Sequence, residues 1–133
     1  TMLAATPDDT ELHDDAGVLA LLLGRPAVAV SHFRASAERK PQSAAAHYNL
    51  GTALTSAGLF DDAIAAYERA LAIDPRYAKA LNNLADTLMS AGRLAEAVPR
   101  YEQAVALEPS LPEARNNLGA ALHRDGKTDE AEK

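Results

Sequence analysis

His47-Tyr48-Asn49-Leu50-Gly51, Leu81-Asn82-Asn83-Leu84-Ala85 and Arg115-Asn116-Asn117-Leu118-Gly119 are three versions of one pattern, each 34 residues after the last. The same step relates Pro41, Pro75 and Pro109, the series Gly24, Gly58, Gly92 and Gly126, the series Ala29, Ala63, Ala97 and Ala131, and the aromatics Phe33, Tyr67 and Tyr101. All seven glycines occupy only two places of this period. Self-similarity at such a period marks an array of supersecondary units, each too small to bury its own apolar face and therefore stacked on its neighbours.

Each recurring residue has a physical task. The Gly58 series lies between two apolar-periodic stretches, where a residue free to take positive φ ends one helix and lets the next fold back. Gly51 and Gly119 fall inside the first helix of a pair. Glycine costs ~1 kcal/mol there relative to alanine, so close approach of the neighbouring helix is the expected return. The Ala63 series is read as doing the same in the second helix. Proline after Asp74 and Glu108 biases the preceding residue away from the helical region and marks the boundary between units. Phe33, Tyr67 and Tyr101 then fill the space between layers.

Composition agrees with this reading. Among 133 residues, alanine occurs 30 times and leucine 18 times, against 14 for Val, Ile and Thr together, which favours helix over a β sandwich or barrel. The absence of cysteine removes thiolate chemistry and Cys-ligated zinc. The net charge is −6, of which −5 lies in residues 1–15. The remaining body is almost neutral and has no Lys/Arg block, so it lacks the electrostatic footprint of a nucleic-acid binder or membrane-surface helix. No apolar run approaches the ~18 residues of a membrane helix. The acidic start lacks a signal peptide's basic flank, so a cytoplasmic location is expected.

The residues quoted above resemble the tetratricopeptide repeat, a helix-turn-helix unit of 34 residues. The resemblance divides the chain into an acidic lead-in, 1–9, and one domain, 10–133, with repeats over 10–43, 44–77 and 78–111 and a partial repeat over 112–133. Helices are expected over 10–23, 26–39, 44–57, 60–73, 78–91, 94–107 and 112–125, with a stub from 128. The fold implied is an all-α, right-handed solenoid. The family often carries Trp where this chain has His13, His47, Leu81 and Arg115. The first repeat, with Asp14-Asp15-Ala16 in place of the Asn-Leu pattern, is read as an N-terminal cap. Pro99 deletes one hydrogen bond in its helix, and a local bend is expected unless it stays within the first turn.

Stacked helix pairs leave a concave surface built by their first helices, and the resemblance implies that this groove takes an extended peptide or a helix. Asn49, Asn83 and Asn117 share one place of the repeat. As a ladder they could hydrogen-bond an extended backbone without reading its side chains, because an amide both donates and accepts. The alternative is that they tie adjacent first helices together or stay solvated. Further groove-facing residues implied by the family pattern are Tyr48, Thr52, Lys79, Asn82, Asp86, Met89, Asn116, His123 and Arg124. A subset of the family clamps the C-terminal carboxylate of chaperone tails. Of the five residues this needs, Asn49 and Lys79 match, while Asp14, Val18 and Asn83 replace the rest, and the acid where a base is required argues against that clamp.

No catalytic constellation is present: there is no G-x-S-x-G, no phosphate-cradling glycine loop and no G-x-G-x-x-G. His13, His32, His47 and His123 include no pair spaced as a helical metal site, and His13 and His47 read as packing histidines. Asp61-Asp62 reads as a helix N-terminus favoured by its dipole, without calcium-loop spacing. No enzyme activity, metal or cofactor is therefore expected, and the partner is a protein or peptide. A second reading comes from the asparagine-rich segments, which also resemble the superhelix of O-GlcNAc-type glycosyltransferases. In that reading the chain is a non-catalytic, substrate-presenting module of a larger enzyme. Lys133 falls in mid-pattern, so a longer parent chain is expected. With its second helix barely begun, the fourth repeat should leave Leu118, Ala121 and Leu122 uncovered and promote self-association.

Overall fold

The computed structural model describes the backbone of residues 9–132 and the side chains of residues 10–126. It contains seven helices and, among the described residues, no strand: α1 (Asp9–Leu22), α2 (Pro26–Arg39), α3 (Ala44–Ser56), α4 (Phe60–Ile73), α5 (Ala78–Ser90), α6 (Leu94–Leu107) and α7 (Pro112–Glu132). Consecutive helices pack as antiparallel neighbours. The backbone of each odd-numbered helix also comes close to that of the next odd-numbered one, whereas the backbones of even-numbered helices stay apart. Spacing that is tight on the odd side and open on the even side makes the odd helices the concave wall, as the solenoid reading requires. Of the acidic lead-in, residues 1–8 lie outside the described residues.

Three turns share one chemistry. Gly58 has φ of 79°, its N–H donates to Thr55 O at 3.0 Å, and Leu59 N–H donates to Leu54 O at 2.9 Å. This is a Schellman closure, which satisfies the last carbonyls of α3 and needs a left-handed residue. Gly24 and Gly92 repeat it. Gly126 does not, because α7 runs through it as a single helix of 21 residues, so the expected turn and stub are corrected. Two places after the turning glycines stand half-buried Pro26, Phe60 and Leu94, which anchor the returning helix, whereas Gly126 is followed by Lys127 and Thr128. With no apolar anchor to hold a returning helix, the unbroken backbone ladder prevails.

The close approaches lie where the period places them. Ala29, Ala63 and Ala97 are fully enclosed, and Phe33, Tyr67 and Tyr101 are the largest buried side chains. A Cβ added to Gly51 would fall 2.7 Å from the Tyr67 ring, and Gly17 stands in the same relation to Phe33. Gly119 faces open space, so the close approach expected of it is not found among the described residues. Pro99 lies at the sixth residue of α6, beyond the first turn, on the exposed side of the helix. The carbonyl of Ala95, its missing partner, belongs to an exposed residue that water can reach.

At the two ends of the array some apolar side chains are exposed. In the first hairpin these are Leu12, Leu19, Leu22 and Leu23, with Leu22 79% exposed. On α7, Ala121 is enclosed against the core and Leu118 packs on it, while Leu122 stays 48% exposed. The expected uncovered edge is thus reduced to Leu122.

Candidate functional site

The concave wall is laced by amides. Asn117 Nδ2 on α7 donates to Asn82 Oδ1 at 3.3 Å and Asp86 Oδ1 at 3.0 Å on α5. Asn82 Nδ2 donates to Asn83 Oδ1 at 3.4 Å, and Asn83 Nδ2 donates to the Tyr48 hydroxyl on α3 at 2.9 Å. This relay joins three odd helices through Asn83 and Asn117. Thr55 and Thr87 add a hydroxyl contact of 2.8 Å between α3 and α5. Asn49 is half-buried on α3 and outside the relay. Asn82, only 3% exposed, is not the groove-facing residue expected, because α7 lies over it through Asn117. Asn116, its counterpart on α7, is exposed.

The aromatic place of each repeat has a matched partner 15 residues earlier. Tyr67 OH lies 3.1 Å from Thr52 Oγ1, which also donates to Tyr48 O one turn back. In the next repeat Tyr101 OH donates to Asp86 Oδ1. In the first repeat Phe33 has no hydroxyl, and the partner place holds Val18. A buried phenol needs a hydrogen-bond partner and a buried phenyl does not. Burial pushes up the hydroxyl pKa of Tyr67, and burial together with the Asp86 bond and charge pushes up that of Tyr101, so both remain donors at neutral pH.

Asp86 brings a carboxyl group into this wall. Half-buried beside Tyr101 and Asn117, its carboxyl is held above the ordinary range, chiefly by burial, with the Glu113 charge adding and the Tyr101 hydrogen bond opposing. Because the folded state raises this pKa, the contribution of Asp86 to stability is fully present below the unfolded carboxyl range and is lost as pH rises through the folded value. Asp86→Asn keeps an acceptor for Tyr101 and Asn117 and removes the charge. Its melting temperature should exceed that of the parent at pH 7, with the gap closing below about pH 4. A variant that melts lower at pH 7 would show the charge to be stabilising.

A cavity of about 370 Å³ opens beside Asp86, lined also by Met89, Ser90, Tyr101, Asn117, Ala120 and Arg124. Nearer the N-terminal side of the wall, the rings of Tyr48 and Tyr77 stack with centroids 5.0 Å apart, and Tyr48 meets Tyr67 at 5.9 Å. Burial raises the pKa of Tyr48 and Tyr77 as well. Tyr77 was not anticipated: it stands just before α5 at a place where the other repeats have Ser43 and Leu111. Lys79 is exposed in the first turn of α5, and His123 and Arg124 are exposed on α7.

The histidines divide into two roles. His47, enclosed in α3, holds the Pro41 carbonyl through Nε2 at 2.9 Å, the packing role expected of it. His13 and His32 approach across α1 and α2, with Nδ1 atoms 3.0 Å apart, so one ring donates and the other accepts. Spacing along one helix could not reveal this pair. Asp14 Oδ1, next to it in sequence, is buried without a hydrogen-bond partner. Among the described residues no group of three His, Cys, Asp or Glu side chains could hold a metal ion, and no helix is long and apolar enough to cross a membrane.

Three repeat families match the chain: "Tetratricopeptide repeat" over residues 15–78 and again, as a separate family, over 66–98, and "TPR repeat" over 85–126. No curated protein matches it. Among solved structures, MamA is 29% identical, with a TM-score of 0.82 over 98% of this chain and 76% of that one. The Sgt2 TPR domain from Aspergillus fumigatus is 16% identical, with a TM-score of 0.89 over 96% and 85%. The first TPR of Spaghetti (RPAP3), solved with the HSP90 peptide SRMEEVD, is 21% identical, with a TM-score of 0.84 over 91% and 96%.

Proposed function

We propose a function for this chain on the premise that it belongs to the tetratricopeptide repeat family: it is a protein-interaction scaffold whose concave wall binds an extended peptide segment or a helix. The observation that carries this reading is the wall itself. Three helices offer Tyr48, Asn49, Asn83 and Asn117, all half-buried and polar, along one continuous inner face that ends in a cavity. Partly desolvated amides and phenols of this kind retain hydrogen-bonding capacity for a peptide backbone while their rings and stems supply apolar area. A neighbour of the same fold is bound to a peptide, which supports a peptide as the partner, and the reading involves no chemical step.

An array of nine-residue peptides, probed with the intact chain, should yield binders. Asn49→Ala should weaken them about fivefold, equivalent to about 1 kcal/mol, without moving the melting temperature. Asn83→Ala should weaken them too, but at a stability cost of about 1 kcal/mol, because the Tyr48 hydroxyl loses its donor. Binders indifferent to both substitutions would locate recognition away from the concave wall.

A further inference from the structure

Resting on the concave-wall reading, the geometry points to the class of residue the cavity takes. We propose that the pocket between α5, α6 and α7 receives the cationic side chain of a lysine or arginine from a bound peptide, with Asp86 as its counter-charge.

The argument starts from how Asp86 is held. Its Oδ1 is fixed by two neutral donors, the Tyr101 hydroxyl and the Asn117 amide. A carboxylate set by neutral donors is oriented without being neutralised by them, and a partly desolvated charge of that kind attracts an opposite one more strongly than a solvated one does. The place has an alternative that folds with the same tyrosine: in the preceding repeat a neutral hydroxyl, Thr52, partners Tyr67. Packing of the phenol therefore does not require an acid at position 86. The acid is what distinguishes this pocket.

The surroundings suit a long cationic side chain. The space is about 370 Å³, and its walls include Met89 and Ala120, which can cover the aliphatic stem of a lysine or arginine. Glu113, exposed in the first turn of α7, acts on both Asp86 and Tyr48 and so adds negative potential between the pocket and the stacked Tyr48–Tyr77 rings. Aromatic faces favour cations over anions. Arg124 also lines the cavity, and its charge acts on Tyr101. Asn117 sits between Asp86 and the amide relay, so a cation held at Asp86 is placed beside groups able to hold the adjoining backbone.

The test uses four nine-residue peptides of one Ala/Ser frame with Lys, Arg, norleucine or Glu at the fifth place, titrated into the intact 15N-labelled chain. The Lys and Arg peptides should bind at least about tenfold more tightly than the Glu peptide, and shift the Asn117 side-chain amide. Asp86→Asn should remove that preference while leaving the circular dichroism spectrum unchanged, and Glu113→Gln should reduce it. If all four peptides perturb the concave wall equally, the cation inference is overturned while peptide binding by the wall stands. If the Glu peptide binds best, or no peptide moves the Asn117 amide, the inference also fails. Loss of every concave-wall shift, together with array binders indifferent to Asn49 and Asn83, would remove the broader reading as well.

Discussion

Tyr67→Ala should cost about 3–5 kcal/mol of unfolding free energy, the range for deleting a large buried ring. Tyr67 is 1% exposed, and its ring fills the space that the missing side chain of Gly51 leaves open. The hole would open at the middle of the array, where the close packing of α3 on α4 and the stacking of α5 on both depend on it. Tyr67→Phe separates the ring from its hydroxyl. It should cost about 1 kcal/mol, since Thr52 Oγ1 keeps the Tyr48 carbonyl as a partner. Urea titrations followed by circular dichroism at the helical band measure both. A loss below about 1 kcal/mol for Tyr67→Ala would mean that the layer relaxes around the gap.

Ala63→Leu should cost about 1–3 kcal/mol by overpacking. Ala63 has no exposed surface and belongs to the main core cluster on α4. Ala65, exposed two residues along the same helix, provides the control. Ala65→Leu adds the same atoms at the same helix propensity and should change stability by less than about 0.5 kcal/mol. Equal effects of the two substitutions would show that the second-helix alanines are not close-packing residues, and the register read from the period would be wrong.

Residues with a fixed place in the period were the ones readable from the chain alone. Six helices begin and end within one or two residues of their expected bounds, because Gly24, Gly58 and Gly92 each meet a turn requirement that is local to a few residues. Gly126 has the same place and a different outcome, since a turn also needs something for the returning helix to pack against. The site was less legible. Asn82 and Asn83 are neighbours in the chain, yet one is enclosed and the other bridges to α3, and that difference is made by α7 lying over one of them. The contact of His13 with His32 and the stacking of Tyr77 on Tyr48 join different helices, so no spacing along one helix encodes them. The Thr52–Tyr67 and Asp86–Tyr101 pairs, by contrast, carry a signal at fixed separation: a polar residue 15 places before each tyrosine, and Val18 before the phenylalanine.

The contrast between odd helices whose backbones approach and even helices whose backbones stay apart has a mechanical consequence. Furrows run along the outer side, one of them a space of about 560 Å³ whose walls include Arg34 and Glu38 of α2 and Asp62 and Arg69 of α4. The inner side is cross-linked by the amide relay and by the Thr55–Thr87 contact. A rod fastened along one edge and slit along the other bends about the fastened edge. The neutral axis of this solenoid accordingly runs close to the concave wall, and changes of curvature are taken up by opening or closing the outer furrows. The inner groups then hold nearly constant spacing while the array flexes, so the superhelix can alter its pitch without rescaling the ruler of amides along its inner edge.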